Sequence, residues 1–472
     1  MRRAKKILSI ALVAAMVGTF SMNAAGCQKV SDVSSAESSK AAGSGAASGA
    51  GAEISGDLKV AVFKGGYGDQ VWKDAAAKFE KKYPGVKVQI TADPNIGDVL
   101  RPQIINGDVP DFIYLASNNK SGLLQSMITD RQLADLSDVF EKNGLKDKTI
   151  DGVLDGPTYQ PYGDGKIYAA PLFYSVNGMW YDANLFRKNG WTAPKTWDEA
   201  FALADKAKQK GIAMFTYAAA NAPAYNENVT WPLVATAGGK QKLNSLFSYQ
   251  ANAWNDQSVT DMLKVYQKIH DGGYLLDGTL GMNHTQSQQQ WLQDKALFIP
   301  NGAWIQNEMK DSPRADGFQF AFMPVPAVTS GQKQAVWSQT EEMYIPAKAK
   351  NITAAKAFIQ FLYEDDIVKM FAKDTNSLPP LKNGAELVKG LVDDATYSSM
   401  QIGASDQYVH VSGGFATTQQ TNITLRKDFF QDINAIMKGT KTYQTVQKEM
   451  ESESQQLAKL APSSSESGSS SK

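Results

Sequence analysis

Cysteine is almost missing from this chain: Cys27 is the only one in 472 residues, so no intrachain disulfide can form and the fold must be held by its core. Histidine is nearly as scarce. His270, His284 and His410 are the only three, none is paired at zinc-like spacing, and no metal site built on histidine is expected. No Gly-x-Ser-x-Gly elbow stands at a strand end, which argues against a serine hydrolase of that design. Charge of one sign is not in excess either. The chain has 48 Lys and Arg against 48 Asp and Glu, a balance that gives nucleic acid nothing to follow. Long apolar runs are absent after residue 20. The one run, Ile7 to Phe20, is interrupted by Ser9, Gly18 and Thr19 and falls short of the ~20 residues of a membrane-spanning helix.

What stands around that run identifies it. Arg2, Arg3, Lys5 and Lys6 precede it with no acid among them, the pattern of a signal peptide, expected over residues 1–26. Asn23-Ala24-Ala25-Gly26-Cys27 resembles a bacterial lipobox, although Ala24 stands where that pattern usually has Leu. By this resemblance Cys27 is the acylated residue of a lipoprotein, anchored at the extracellular face of the cell membrane. Residues 27–56 are Ser, Ala, Gly and scattered charge, a flexible tether with too little apolar area to offset the entropy of ordering it. Residues 461–472 read as a disordered tail on the same grounds.

The body between them has room for two or three domains at ~150 residues each, and two lobes is the economical reading. Leu58 to Phe63 alternates as a strand, Gly65-Gly66-Tyr67-Gly68 follows, and Trp72, Ala76, Phe79 and Tyr83 recur at helical spacing. Val86 to Ile90 alternates again, and Asp111 to Leu115 reads as a third strand ending in Asn118 and Asn119. Strands alternating with helices imply an α/β sheet. Lys166 to Asp182 is too long an extended run for one small sheet and reads as a connection between lobes. Thr196 with Glu199 has the spacing of a capping box, a second helix is expected from about Val259 to His270, and Asn351 can cap a third.

Four segments, in order, carry a resemblance: GKIYAAPLFYSVNGMWYDANLF at 165–186, APKTWDEAFALADKAK at 193–208, ALFIPNGAWIQNEM at 296–309 and ITAAKAFIQFLYED at 352–365. Together they are similar to family 1 extracellular solute-binding proteins, the maltose-binding-protein relatives, from about Leu58 to Leu460. The resemblance implies a two-lobe periplasmic-binding-protein-like α/β fold with hinge crossings and an interlobe ligand cleft. Lobe 1 would span 57–170 plus 327–376, and lobe 2 would span 171–326 plus 377–460. It implies a monomeric protein, without cofactor or catalysis, that captures a sugar and delivers it to the permease subunits of an ABC importer. Membrane contact would be through the lipid alone.

A sugar ring has an apolar C–H face and a rim of hydroxyls, so its site needs flat aromatics and planar hydrogen-bonding groups. Trp304 follows a strand and the Pro300-Asn301-Gly302 turn, and the matching Trp of the family stacks on sugar. Lys64, Tyr67 and Asp69 lie on the glycine-rich turn after the first strand, where open α/β sheets place ligands. Asn118 and Asn119 follow the third strand, and Tyr174 and Asn177 lie on the crossing segment. Trp231, beyond the loop Asn221 to Glu227, and Glu341, after the second crossing, complete the candidate set. Asp69 can instead serve as a helix N-cap, and the asparagines as turn formers. Two rival functions stay open. A glycoside hydrolase would need two carboxylates ~5 to 10 Å apart, for which Asp69 and Glu341 are the available pair. A non-sugar solute, such as a peptide or polyamine, would call for a different cleft lining. The start Lys64 to Asp69 is similar to binders of N-acetylglucosamine and chitobiose.

Overall fold

The computed structural model describes residues 54–460 apart from 118, 152, 157, 417, 419 and 420. The expected signal peptide, Cys27, nearly all of the tether, the tail and Asn118 lie outside these residues. Strand β1 (Gly56–Phe63) buries Leu58, Val60 and Val62, and pairs in parallel with β2 (Val86–Asp93) and β3 (Phe112–Tyr114). The helix Gln70–Lys82 lays Trp72, Ala76 and Phe79 on this sheet, the face its period predicts.

The expected crossing is β4 (Ala170–Asp182). It is followed by β5 (Ala213–Phe215), β6 (Ala296–Asn301), β7 (Phe320–Met323), β8 (Ala335–Tyr344) and β9 (Val409–Val411). The strand order is β2-β1-β3-β8-β4-β6-β5, with β7 on β4 and β9 on β8. Residues 170–177 of β4 pair with β8, whereas Gly178 to Asp182 pair with β6 and β7, so one strand serves two sheets. β8 does the same in reverse, meeting β9 through Ala335 to Trp337 and β3 through Met343 and Tyr344. At Tyr174 a third crossing joins, through the bridge to Leu378 and the bond from Tyr174 N–H to the Leu378 carbonyl at 2.9 Å.

Two large hydrophobic cores lie on either side of these crossings. One takes residues from Leu58 to Phe173 and from Met343 to Val388, and the other from Met179 to Trp337 and from Val411 to Leu457. Leu378, Leu381 and Val388 therefore pack in the first core, although they follow the position 376 at which lobe 1 was expected to end.

Local signals are realised where side chains meet main chain nearby. Thr196 Oγ1 accepts from Glu199 N–H at 3.2 Å and Glu199 Oε2 from Thr196 N–H at 3.3 Å, the reciprocal cap of the helix Trp197–Lys208. Asn351 Oδ1 caps the helix Ile352–Leu362 through Ala354 N–H at 3.2 Å. The helix Gln257–Asp271 ends at Gly272, with Gly273 at φ 59°.

Candidate ligand-binding cleft

The two crossings β4 and β8 form a ribbon with two faces, because successive strand residues point to opposite sides. The register pairs Phe173 with Glu341, Ser175 with Gln339 and Asn177 with Trp337 on one face. Tyr174, Val176, Ser338 and Thr340 occupy the other. Polar and aromatic groups from both sides gather on the first face.

From the β1 side comes Tyr67, whose ring lies 4.8 Å from that of Phe173. Phe173 also meets Tyr114 edge-on at 5.6 Å, and Tyr114 donates its hydroxyl proton to Glu341 Oε2. Burial, and then the neighbouring Glu342 charge, push the Glu341 carboxyl up to about 8. Burial likewise raises Glu342 to about 7, against the bonds it accepts from Ser117 N–H at 2.5 Å and Thr340 Oγ1 at 2.8 Å. The Tyr67 hydroxyl is pushed up by burial and then by Glu341, with Glu308 and Tyr225 among the smaller causes.

From the other side, Asn177 Nδ2 donates to Gln339 Oε1 at 2.9 Å and to Asn228 Oδ1 at 3.3 Å. Gln339 Nε2 approaches Glu227 Oε1 at 3.4 Å, and Arg426 clamps Glu227 Oε2 through Nη2 at 2.7 Å and Nε at 3.1 Å. Burial raises the Glu227 carboxyl, and the Arg426 charge opposes it. Trp304 opens the short helix Trp304–Glu308 after β6, and its indole lies across Gly302 where any Cβ would collide with it. The Tyr225 hydroxyl is raised by burial and then by Glu308, and held down by a bond with Trp304. Tyr225 packs on His284 at 4.7 Å, and His284 Nε2 stands 2.9 Å from Glu308 Oε2.

Among the residues singled out from the sequence, Tyr67, Asn177, Trp304 and Glu341 therefore stand on or beside one face of the ribbon. Lys64 and Asp69 are joined to each other at 3.2 Å, with Lys73 on Asp69 at 3.0 Å, and these lysines, Lys73 first, hold the Asp69 carboxyl below its usual range. Asp69 precedes its helix without bonding the N-terminal amides. Asn119 spends its Oδ1 on Ser121 N–H at 3.0 Å, a turn-forming bond. Tyr174 lies on the opposite face, with its hydroxyl 3.0 Å from Ser338 Oγ and 3.3 Å from His410 Nδ1. Trp231 is buried in the second core, stacked on Phe429 at 5.6 Å and 22° and edged by Phe247, Phe415 and Phe430. Arg426 has no part in the sequence reading, Glu308 enters it only within the segment 296–309, His284 only as a histidine without a zinc-like partner, and Tyr225, Glu227 and Gln339 only within longer polar stretches. No local pattern marks them, since each becomes notable through a partner distant in sequence.

Among the described residues no helix is long and apolar enough to cross a membrane, and no group of three or more His, Cys, Asp or Glu could hold a metal ion.

Comparison with known proteins places this arrangement. Residues 65–369 match the model of the bacterial extracellular solute-binding protein family. The diacetylchitobiose binding protein NgcE of Streptomyces coelicolor is 29% identical over 375 residues, covering 77% of this chain and 76% of that protein. A multiple sugar-binding protein of Streptococcus mutans is 24% identical over 62% of this chain and 68% of its own length. Among solved structures, apo RafE of Streptococcus pneumoniae superposes with TM-score 0.68 at 20% identity, covering 86% of this chain and 99% of RafE. A chitin oligosaccharide binding protein superposes with TM-score 0.65 at 20% identity, over 84% of this chain and 99% of that one. At these identities the structural matches establish the two-lobed α/β fold.

Proposed function

The chain belongs to the bacterial extracellular solute-binding protein family, and from that premise we propose that it captures a sugar or short oligosaccharide between its lobes for delivery to an ABC importer. The observation that carries this reading is the lining of one face of the crossing ribbon. Tyr67, Tyr225 and Trp304 offer flat apolar surface, and Asn177, Gln339 and Glu227 offer planar polar groups for hydroxyls. The relatives named for diacetylchitobiose, multiple sugars and chitin oligosaccharide support the class. A micromolar dissociation constant corresponds to ~8 kcal/mol, within reach of such stacking rings and a set of paired hydroxyls.

Closure follows from differential affinity: a ligand touching both lobes favours the state in which both contacts exist. The crossings β4 and β8 and the segment at Leu378 are the natural hinge, with lobe boundaries close to 57–170 plus 327–376 and 171–326 plus 377–460. The first core's hold on Leu378, Leu381 and Val388 favours moving the second break toward residue 390. The protein acts without catalysis. Asp69 is paired with two lysines, which leaves Glu341 without a free carboxylate partner for glycoside hydrolysis. An acylated Cys27 and the tether behind it would hold a monomeric body beside its permease at the extracellular membrane face.

The test is calorimetric titration of residues 27–472 carrying Cys27→Ser with diacetylchitobiose, raffinose and maltose, alongside amino acids and polyamines, repeated with Trp304→Ala. Saturable binding of one glycan, weakened about tenfold or more in the variant, is expected. Binding of a control solute and of no glycan would overturn the carbohydrate reading.

A further inference from the structure

Glu308 is built as a contact between the lobes. Its Oε2 is fixed from within lobe 2 by two donors, His284 Nε2 at 2.9 Å and Gln288 Nε2 at 2.8 Å, both from the helix His284–Leu292. Gln288 Nε2 also lies 3.0 Å from His284 Nε2, and Tyr225 covers the imidazole, so the carboxylate has few alternative positions. Its other oxygen is turned toward the opposite lobe. A Cβ built on Gly66 would stand 3.3 Å from Glu308 Oε1 and 3.4 Å from Cγ. Gly66 lies in the turn Gly65 to Gly68, closed by the bond from Gly68 N–H to the Gly65 carbonyl at 3.0 Å. Among the described residues the main-chain N–H groups of Gly66 and Tyr67 have no hydrogen-bond acceptor.

A carboxylate held rigidly on one lobe thus faces a side-chain-free turn with unpaired amides on the other. An acceptor with full charge and donors with no partner attract, and such charge-assisted bonds are roughly twice as strong as neutral ones. We infer that Glu308 is the latch of the closed state, its carboxylate serving the Gly66–Tyr67 amides across the lobes, and that glycine at 66 lets it come this close, since a Cβ there would stand 3.3 Å from Oε1 and press the carboxylate back. His284 and Gln288 are positioning residues for the latch. Trp304, four residues before Glu308 on the same helix face, is carried into contact with the ligand by the same movement. The inference rests on the proposed closure around a ligand and adds the contact that secures it.

Two measurements test it on residues 27–472 carrying Cys27→Ser. The first needs no ligand: Gly66→Cys with Glu308→Cys is expected to form an intrachain disulfide under mild oxidation, since a Cβ at Gly66 would stand 3.4 Å from Glu308 Cγ, the atom whose place the new sulfur would take. The control Gly68→Cys with Glu308→Cys, where nothing lies within 4 Å of the glycine, is expected to stay reduced. Failure of the first pair to oxidise overturns the latch and leaves sugar binding untouched. The second uses diacetylchitobiose as probe. Glu308→Gln and Gly66→Ala are each expected to raise Kd about tenfold, chiefly by faster release, with urea midpoints unchanged. Wild-type affinity and release rate in both variants would overturn the latch even if the disulfide forms. Absence of wild-type binding to every glycan would instead overturn the proposed function, and the disulfide result would still stand.

Discussion

Replacing Glu341 by Gln should stabilise the protein at alkaline pH and do little at acidic pH. The carboxyl is covered by Tyr114 and Phe173 with Glu342 beside it in sequence, and burial and that neighbour raise it from an ordinary value near 4.5 to about 8. A folded-state value above the unfolded one means that the native protein binds the extra proton between the two, so stability falls as pH rises across that window. Each unit of difference is worth about 1.4 kcal/mol. Between pH 5 and pH 7.5 the wild type should lose about 3 kcal/mol through this group, a loss that Gln, which cannot ionise, does not suffer. Gln can still accept the Tyr114 hydroxyl proton, so the packing survives. Urea unfolding of both proteins at several pH values, without ligand, measures the difference. An advantage of the variant that grows by roughly 3 kcal/mol over this interval is expected, with the slope ending near pH 8. A difference that stays constant with pH would show that Glu341 ionises freely in the native state and would refute the reasoning.

Two further outcomes follow from the same packing. Trp231→Ala should destabilise the fold by about 3 to 5 kcal/mol, because it empties the centre of the cluster formed with Phe247, Phe429 and Phe430; a urea midpoint close to that of the wild type would place the indole outside the core. Gly302→Ala should weaken glycan affinity with little loss of stability, because the new methyl group displaces the Trp304 ring. Calorimetric titration beside a urea curve separates the two effects, and undiminished affinity would mean that the ring's position over Gly302 is irrelevant to binding.

Much of the architecture was legible along the chain because its causes are local. The alternation at Leu58 to Phe63, the Thr196–Glu199 cap, the Asn351 cap and the Gly272-Gly273 stop each involve residues a few positions apart, and each appears in the fold. The long extended run ending at Asp182 announced a crossing, and β4 is that crossing. Composition likewise excluded an intrachain disulfide and showed a balance of charge.

Which side of the crossing faces a ligand was not legible, since it depends on the pairing of β4 with β8 and on the register shift between Pro171 and Phe173. The pleat alone separates Tyr174 from Phe173 and Asn177, and the pairing with β8 decides which of the two faces meets which partners. Trp231 and Tyr225 look alike along the chain, two aromatic residues in one short stretch. The helix Leu425–Lys438, two hundred residues on, draws Trp231 into the core and leaves Tyr225 beside Trp304 and Glu308. The chain alone determines local hydrogen bonds and apolar periods, whose energies are decided within a turn or a strand. Only the tertiary structure decides the site, because burial, ion pairing and interlobe contact are properties of residues brought together from 64 to 426 by packing.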